Sequence, residues 1–527
     1  MSIERLIIKN FRRFDELEIM FSSTRNIFVG ENGVGKSTIL QAISYVMSGS
    51  YMTIEKVGYK SLFNAGAITE FLHGSRGIKY LPKLYVEIYL DSKCEPDNFR
   101  IYGKQNSLKQ DAYGMRLMIF PNDDFLAEID RHVKRSDVFP FEYYKHEFRT
   151  FDGTTYNSYA KKHKVKVESI DPSLINTHSA IKNYVKRLYH NQTSDDKRQK
   201  INLEYRHLTD SFSNKLYTES GYLECNSEYK IELDSHSDKA FAESITAQKE
   251  GVNITDLGKG ERIVLSVETS YGSHDNECEL ILIEEPENHL SYINMNKMID
   301  LISSSSDKQS FISTHSNMIA SRLELSKIVL LTESGCIRMN DLKEDTVKFF
   351  QKASDSKVLD FLLSKKAILV EGNAEYILVE KFYHMIHGIN SHQDDITVIS
   401  CNGKTFKRYL QIAELLDKKV AVIIDNDGNY KDNVLDSYSE YQSSNVCVFS
   451  EEDDELKTFE ICLYMKNEEF LNKNLLTTSM NNGYLSYMLS NKAESAFRIL
   501  LLLEKGNFSS EFKIPTYIDE AIKWIKN

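Results

Sequence analysis

The feature that most constrains this chain is a glycine-rich loop near its N-terminus. Residues 30–37 read GENGVGKS and lie between a predicted strand over 26–29 and a predicted helix from Lys36. Glycines at this spacing let backbone N–H groups wrap phosphates, while the lysine reaches the β and γ phosphates and the serine binds Mg²⁺. The loop therefore predicts an ATP site formed by Gly30, Asn32, Gly33, Gly35, Lys36, Ser37 and Thr38.

A pair of glutamates supports this prediction, because it follows the apolar strand pattern LILI at 280–283. One carboxylate at a strand end can hold Mg²⁺, and the next can orient a water for attack on the γ-phosphate. We assign Glu284 to the metal and Glu285 to the water. Another apolar strand pattern ends at His315, which by itself would as often be a satisfied polar residue as a functional one.

The C-terminal third carries four further carboxylates at the ends of two apolar strand patterns. Glu371 ends the first pattern and Glu375 follows one helical turn later, while Asp425 and Asp427 end the second. Such oxygen ligands suit one or two Mg²⁺ or Mn²⁺ ions, and hence phosphodiester hydrolysis. An isolated D-x-D is more often a turn or a helix cap, but two acidic pairs at strand ends seldom coincide through turn chemistry alone.

Length and composition limit the classes of protein to which this chain can belong. With 527 residues, of which 41% are hydrophobic, the chain can build two to four domains. Its apolar runs fall short of the ~20 residues of a membrane helix, its start has no secretory pattern, and its seven Cys form no CxxC pair. We therefore expect a cytoplasmic protein with no membrane partner. The net charge of −12 argues weakly against nucleic acid, unless metal ions and the basic stretches at 161–166 and 180–200 compensate.

The order of the N-terminal motifs resembles that of the ABC-type ATPases, in the branch that includes the SMC and RecF proteins. The resemblance lies in IERLIIKNFRRF at 3–14, GENGVGKSTIL at 30–40, LGKGER at 257–262 and the strand-end glutamates. It implies that His315 is a switch histidine. It also implies a homodimer or higher homo-oligomer, in which a signature loop completes the partner's ATP site through Gly258, Lys259, Gly260 and Glu261. Glu284 replaces the commoner Asp, and LGKGE replaces LSGGQ, so the rate of ATP turnover stays open.

The C-terminal acids, with SCNGKTFKRYL at 400–410 between them, resemble the TOPRIM fold of topoisomerases, primases and certain nucleases. An ABC-type ATPase followed by TOPRIM resembles the overcoming lysogenization defect (OLD) family of nucleases. Two later elements, KTFE at 457–460 and EKGNF at 504–508, are similar to elements of that family. They imply that Glu460 is a metal ligand and that Lys505 lies near the scissile phosphate. Lys505 taken alone is equally well explained as a helix C-terminal charge.

These readings together predict an α/β protein, with an ABC/SMC-like ATPase domain that carries a helical insertion and a C-terminal TOPRIM domain. The expected segments are an N-terminal ATPase lobe at 1–167, a helical insertion that serves dimerisation at 168–245, the rest of the ATPase at 246–345, and TOPRIM with a helical end at 346–527.

The expected function is that of an ATP-binding, Mg²⁺- or Mn²⁺-dependent DNA endonuclease gated by a dimeric ATPase. Members of the family that this chain resembles often act in bacterial defence against phage. A second defence protein encoded by a neighbouring gene is a possible partner. Two alternatives stay open. The TOPRIM centre could cut tRNA or other RNA, or the protein could be a non-cleaving, ATP-dependent DNA clamp of the RecF or SMC type.

Overall fold

The computed structural model describes most of the chain as two compact units. One unit comprises Met1–Phe28 and Gly33–Thr314, and the other comprises Val29–Asn32 and His315–Asn527. The residues described are 2–91, 101–163, 165–172, 178–218, 233, 240–272, 279–305, 308–332, 335–339, 342–353, 357–403, 405–478, 480, 482–505 and 511–527. No helix among them has the length and apolar character that a membrane span needs.

The first unit is built from an antiparallel sheet, a parallel sheet and surrounding helices. Its strands are β1 (Ile3–Phe11), β2 (Phe14–Met20), β3 (Arg25–Val29), β4 (Leu84–Leu90), β5 (Tyr102–Gly103), β6 (Ala112–Pro121), β7 (Tyr144–Thr150), β8 (Lys166–Ile170), β9 (Gln248–Lys249), β10 (Val252–Asn253), β11 (Glu279–Glu284) and β12 (Gln309–Ser313). Its helices are α1 (Lys36–Ser48), α2 (Tyr51–Val57), α3 (Tyr59–Leu62), α4 (Ala65–His73), α5 (Leu126–Val133), α6 (His178–Gln192), α7 (Asp195–Thr218), α8 (Ala240–Ser244), α9 (Lys259–Gly272) and α10 (Tyr292–Ser304).

The antiparallel sheet has the order β2-β1-β4-β6, with β5 and β7 both paired to β6. Strands β4 and β6 are antiparallel neighbours in this sheet. Strand β4 is almost wholly buried, including Glu87. This carboxylate is tolerated inside because it accepts hydrogen bonds from the Ser107 amide at 2.9 Å and the Tyr89 hydroxyl at 3.0 Å, with Arg116 3.6 Å away.

The parallel sheet of this unit has the order β3-β12-β11-β8. Its buried aliphatic strands end at the same edge, which brings the phosphate-loop region and Glu284 to one side of the sheet. The expected helical insertion from residue 168 needs correction, because 166–170 form β8. Residues 167 and 170 pair along β11, so the helical hairpin of α6 and α7 begins only at His178.

The second unit contains a parallel sheet covered by helices. Its strands are β13 (Ile328–Thr332), β14 (Gly335–Arg338), β15 (Lys366–Val370), β16 (Ile396–Ser400), β17 (Lys419–Ile423) and β18 (Val446–Phe449). Its helices are α11 (Asn317–Arg322), α12 (Glu344–Lys352), α13 (Val358–Leu363), α14 (Asn373–His387), α15 (Phe406–Leu416), α16 (Phe459–Leu475), α17 (Gly483–Ser490), α18 (Lys492–Lys505) and α19 (Thr516–Lys526).

Strands β16-β15-β17-β18 are all parallel, and the two strand patterns that carry the C-terminal acids form the adjacent pair β15 and β17. The unit begins at His315, whereas the sequence suggested a boundary at 345/346. The reason is a set of contacts to the C-terminal half. Asn317 donates to the Asp360 carboxylate at 3.1 Å and accepts from the Leu359 amide at 2.7 Å, and Arg408 pairs with Asp345.

Lys418 provides a test of how this unit is stabilised. Its side chain is only 7% exposed, and its ammonium donates to the backbone carbonyls of Phe361, Leu362 and Ser364 at the end of α13. These carbonyls have no partner within the helix, so the lysine satisfies them. We expect Lys418→Met to lower the free energy of unfolding by about 2 kcal/mol, measured by urea denaturation. Lys365→Met, which breaks an exposed pair with Asp395, is the control and should change it by less than about 0.5 kcal/mol.

Candidate functional site

The glycine-rich loop has the geometry of a phosphate cradle. Gly33 and Gly35 have φ angles of 77° and 106°, which favour glycine. At Gly35 an added Cβ would lie 2.3 Å from the ring of Phe14, so that ring rests directly on the loop. Helix α1 begins after Gly35, which has no side chain to cap it. The N-terminus of a helix in this position favours an anion.

Lys36 and Ser37 meet the glutamates at the end of β11. Lys36 is 5% exposed, and this burial lowers its pKa, while the charges of Glu285 and Glu287 act in the opposite direction. The hydroxyl of Ser37 donates to Glu284. Burial is the main cause that raises the pKa of Glu284, and the nearby charge of Asp171 adds to it. The serine and glutamate assigned to Mg²⁺ are therefore neighbours, at a position where a cation would be favourable.

The segment after Glu284 is held by the end of the next strand. Glu285 has a φ of 40°, and its amide donates to the Ser313 carbonyl at 2.9 Å. Its carboxylate accepts from the side-chain amide of Asn288 at 3.0 Å. The hydroxyl of Thr314 donates to Glu287 at 2.9 Å, and His315 follows Thr314 directly in the chain. The strand ends thus fix the backbone on either side of Glu285.

The predicted signature loop lies at the start of α9, which begins at Lys259. A Cβ on Gly260 would lie 2.6 Å from the backbone oxygen of His289, so only glycine fits there. The loop therefore packs closely on the segment that follows the paired glutamates. Glu261 pairs with Lys249 at 3.5 Å, and a Cβ on Gly258 would meet open space.

Two arginines near the loop were missed by motif reasoning. Arg12 and Arg13 form the turn between β1 and β2, and Arg13 donates to the Gly33 carbonyl. Arg12 donates to Gln41 in α1, and its positive charge acts on Glu284. A hairpin turn was readable from the sequence, but its nearness to the phosphate loop depends on the tertiary packing of Phe14 against Gly35.

Four carboxylates come together at the carboxyl edge of the second sheet: Glu371, Glu375, Asp425 and Glu460. Asp425 follows β17 and accepts the amide of Phe459 at 2.7 Å, so it caps the first turn of α16. Glu460 lies in that same turn, and Glu375 lies in the first turn of α14. Gly403, with a φ of 104°, donates its amide to the Glu371 carbonyl at 2.9 Å. The segment 400–410, which contains Gly403, therefore supports the loop that carries Glu371.

The electrostatics of this cluster indicate mutual repulsion among its carboxylates. Burial, together with the charges of Glu375, Glu371 and Glu460, raises the pKa of Asp425 to about 8. Burial likewise raises the pKa of Glu375 to about 7, together with Glu460 and Glu371. Carboxylates that repel one another in a buried site are the arrangement that a bound cation stabilises.

The positive group beside this cluster is Lys492 and not the expected Lys505. The ammonium of Lys492 lies 3.0 Å from the Glu460 carboxylate. Lys505 is at the opposite end of α18, roughly 20 Å along the helix axis, and it is exposed. Asp427 is also exposed, with a φ of 51° and its amide donating to the Lys457 carbonyl at 3.1 Å. The structure therefore groups four of the five expected acidic ligands, with Lys492 beside them.

The donor set fits a divalent metal in its chemistry. Carboxylate oxygens are the ligands that Mg²⁺ and Mn²⁺ prefer, and Glu371, Glu375, Asp425 and Glu460 supply them. In their present rotamers, no three Asp, Glu, His or Cys side chains in the described part of the chain are arranged to hold one ion.

The basic stretches at 161–166 and 180–200, where the sequence suggests compensating positive charge, are partly paired in the described residues. In the stretch 161–166, His163 is buried, and this burial lowers its pKa to about 4, so it is neutral at pH 7. Lys164 lies outside the described residues. In the second stretch, Lys186 pairs with Glu243 at 2.9 Å and Arg198 pairs with Asp195. Local ion pairs thus reduce the positive charge available there.

The buried carboxylates predict a specific pH dependence. The pKa values of Asp425 and Glu375 in the folded chain, about 8 and about 7, lie above their ordinary values of 3.8 and 4.5. The native state then binds more protons than the unfolded state, so stability falls as pH rises from about 4 to about 8. Without metal we expect a loss of roughly 3 kcal/mol across this window, seen as a lower melting temperature in EDTA at pH 8 than at pH 5.

Addition of Mg²⁺ at pH 8 should restore part of that melting temperature, because a bound cation favours the charged carboxylates. Asp425→Asn should flatten the pH dependence in EDTA. An unchanged slope in this variant would show that other groups cause it.

Comparisons with known proteins agree with the two kinds of site. A family model described as "Overcoming lysogenization defect protein-like, TOPRIM domain" matches residues 362–427, and a model of an AAA ATPase domain matches residues 1–72. The chain is similar to the DNA replication and repair protein RecF of Halalkalibacterium halodurans, with 44% identity over 46 residues, or 9% of this chain and 12% of RecF. It is also similar to the DNA double-strand break repair Rad50 ATPase of Thermoplasma acidophilum, with 38% identity over 76 residues, or 14% of this chain and 8% of Rad50.

These matches span only a small part of the length of RecF and Rad50. Among solved structures, the chain is similar to an Smc head bound to the C-winged helix domain of ScpA, with 17% identity and a TM-score of 0.35, covering 64% of this chain and 97% of that one. The SMC head domain from Thermotoga maritima gives 14% identity and a TM-score of 0.29, covering 64% and 97%. At such scores the fold assignment depends on the strand order and the two domain matches. The chain therefore joins an AAA ATPase domain to an OLD-like TOPRIM domain, the domain combination of the overcoming lysogenization defect family.

Proposed function

We propose that this protein is an ATP-regulated, divalent-metal-dependent endonuclease that cleaves DNA. The observation that carries the proposal is the cluster of the buried Glu375, Asp425 and Glu460 with the half-buried Glu371 at the carboxyl edge of the TOPRIM sheet. A structural role alone does not account for it, because mutual repulsion of buried carboxylates destabilises the fold. Asp427, on the exposed side of the same loop, is proposed to face the substrate side of this centre.

A bound divalent metal would supply an activated water and stabilisation of the leaving oxygen in phosphodiester hydrolysis. The protein's own contribution is to hold the oxygen donors ready. The amide of Phe459 orients Asp425, and the first turn of α14 orients Glu375. Glu371 is set by the turn in which Gly403 donates to its carbonyl. These supports restrict where the carboxylates can turn, which favours one productive arrangement.

The nucleotide site is proposed to regulate cleavage. Lys36 and Ser37 would bind ATP and Mg²⁺, Glu284 would hold the metal, and Glu285 would orient the attacking water. By its resemblance to ABC-type ATPases, the signature loop around Gly260 would complete the ATP site of a second copy. We therefore propose a homodimer, with His315 sensing the γ-phosphate, and a cytoplasmic role in defence against phage, alone or with a partner encoded nearby.

DNA is the favoured substrate because RecF and Rad50, the matched relatives, are named for DNA replication and repair. RNA is the second candidate, because metal-dependent hydrolysis acts on the phosphodiester and does not by itself distinguish ribose from deoxyribose. A non-cleaving DNA clamp gives no reason for the buried C-terminal acids and is therefore disfavoured.

The decisive experiment incubates the full chain with plasmid DNA and with total tRNA side by side. Each reaction contains Mg²⁺ or Mn²⁺, with no nucleotide, with ATP or with a non-hydrolysable ATP analogue. We expect metal-dependent nicking or cutting of the plasmid, abolished in Asp425→Ala. Cleavage of tRNA alone would establish the RNA alternative. Cleavage of neither substrate under any of these conditions would refute the nuclease proposal.

A further inference from the structure

The ion pair between Lys492 and Glu460 is unusual for a metal-binding centre. The Glu460 side chain is 2% exposed, whereas that of Lys492 is 51% exposed. Glu460 lies in the first turn of α16, where the helix dipole favours an anion. A buried anion needs a compensating charge, and the ammonium of Lys492, 3.0 Å away, supplies it.

The position of Lys492 shows that this contact is not explained by helix stability. It is the first residue of α18, where the helix dipole disfavours a cation. Its ammonium is held there by the carboxylate cluster, since the charges of Asp425 and Glu375 act on it in addition to that of Glu460. Because half of the side chain is exposed, the ammonium can swing into solvent without a change in the backbone.

We propose that Lys492 is a built-in counter-cation, whose ammonium neutralises Glu460 in the metal-free protein and leaves it when a divalent metal ion binds. This inference rests on the proposed metal site. Lys492 and the metal compete for one carboxylate, so the lysine sets a threshold concentration of metal for assembly of the site. It also keeps the apo protein folded by covering a buried charge. Lys492 is thus a positioning residue that acts through Glu460.

The test measures metal binding directly, apart from any cleavage. Purified full-length protein is stripped with EDTA, which is then removed by dialysis, and titrated with Mn²⁺ without nucleotide. Free Mn²⁺ is followed by electron paramagnetic resonance. Asp425→Ala identifies the binding that belongs to the carboxylate centre. We expect Lys492→Met to bind this Mn²⁺ roughly tenfold more tightly than the unaltered protein, because a competing positive charge is removed.

Lys505→Met is the matched control, since it removes the same charge from the other end of the same helix. Its Mn²⁺ affinity should stay within about twofold of that of the unaltered protein, because an exposed charge at that distance is screened. Lys492→Gln is a second variant that keeps a hydrogen-bond donor for Glu460 and loses only the charge. It should also bind Mn²⁺ more tightly. Both Lys492 variants should melt at a lower temperature without metal and show a larger increase on addition of Mn²⁺.

Two results would overturn the inference, and they can be told apart. If Asp425-dependent Mn²⁺ binding is present but is equal or weaker in both Lys492 variants, the lysine does not compete with metal, and only this inference fails. If the unaltered protein shows no Asp425-dependent Mn²⁺ binding, the proposed metal centre itself fails, and the inference fails with it.

Discussion

Replacement of Asp425 by Asn is expected to lower metal-dependent DNA cleavage by at least about 10³-fold while making the metal-free protein more stable. Asn keeps an oxygen that can accept the Phe459 amide, so the first turn of α16 stays capped. It removes the negative charge that a metal needs and that Glu375, Glu371 and Glu460 repel. Loss of function and gain of stability from one substitution are typical of a site whose residues are placed for chemistry.

Plasmid nicking in Mn²⁺ measures the first effect, and the melting temperature in EDTA at pH 8 measures the second. The expected rise in melting temperature is about 2–4 °C, since roughly 1 kcal/mol of repulsion is relieved. Asp427→Asn is the matched control, because it changes the same residue type two positions later on an exposed part of the loop. It should lower cleavage without a change in melting temperature. A variant at Asp425 that cleaves normally would remove this residue from the proposed centre.

Both predicted sites could be placed from the sequence because their residues follow strand ends. In a parallel sheet, residues that follow different strands arrive at one edge whatever the intervening chain does. Glu371 and Asp425 could therefore be paired from the patterns AILV and VAVI, and the structure confirms that β15 and β17 are neighbours. Ser37 and Glu284 meet for the same reason in the first sheet.

Lys492 could not be found in this way, because nothing in its local sequence marks it. Its role depends on the packing of α18 beside α14 and α16, which is decided by apolar residues such as Ile499 and Leu503. The motif resemblance selects Lys505 at the end of α18 as a group near the scissile phosphate, and the contact with Glu460 is made by Lys492 at the start of that helix. A motif gives the order of residues along the chain. The contact of Lys492 with Glu460 depends instead on where α18 begins in the folded structure.

Strand β8 illustrates a second limit. The stretch from 166 to 170, KVESI, is short and polar, and it precedes a long helical pattern. Its extended conformation is imposed by pairing with β11, whose backbone groups would otherwise lack partners on that side. An edge strand of this kind is specified by its neighbour more than by its own residues.

Replacement of Glu285 by Gln is expected to slow ATP hydrolysis by about 10²–10³-fold and to leave ATP binding intact. The change preserves size, and the side-chain oxygen can still accept from Asn288. The backbone at φ 40°, held by the Ser313 carbonyl, is unaffected. Only the negative charge that would polarise the attacking water is lost. Phosphate release and the affinity for a fluorescent ATP analogue measure the two quantities separately.

Glu287→Gln is the matched control for this experiment, because Glu287 lies two residues later and its charge also acts on Lys36. If Glu285 acts on the attacking water, Glu287→Gln should retain hydrolysis within a few-fold, since its carboxylate oxygen is occupied by the Thr314 hydroxyl. Equal losses in the two variants would mean that the charges serve only to balance buried Lys36. Unchanged hydrolysis in Glu285→Gln would instead show that another residue orients the attacking water. The proposed ATP-bound dimer should also accumulate in the Glu285→Gln protein, which sedimentation in the presence of ATP would detect.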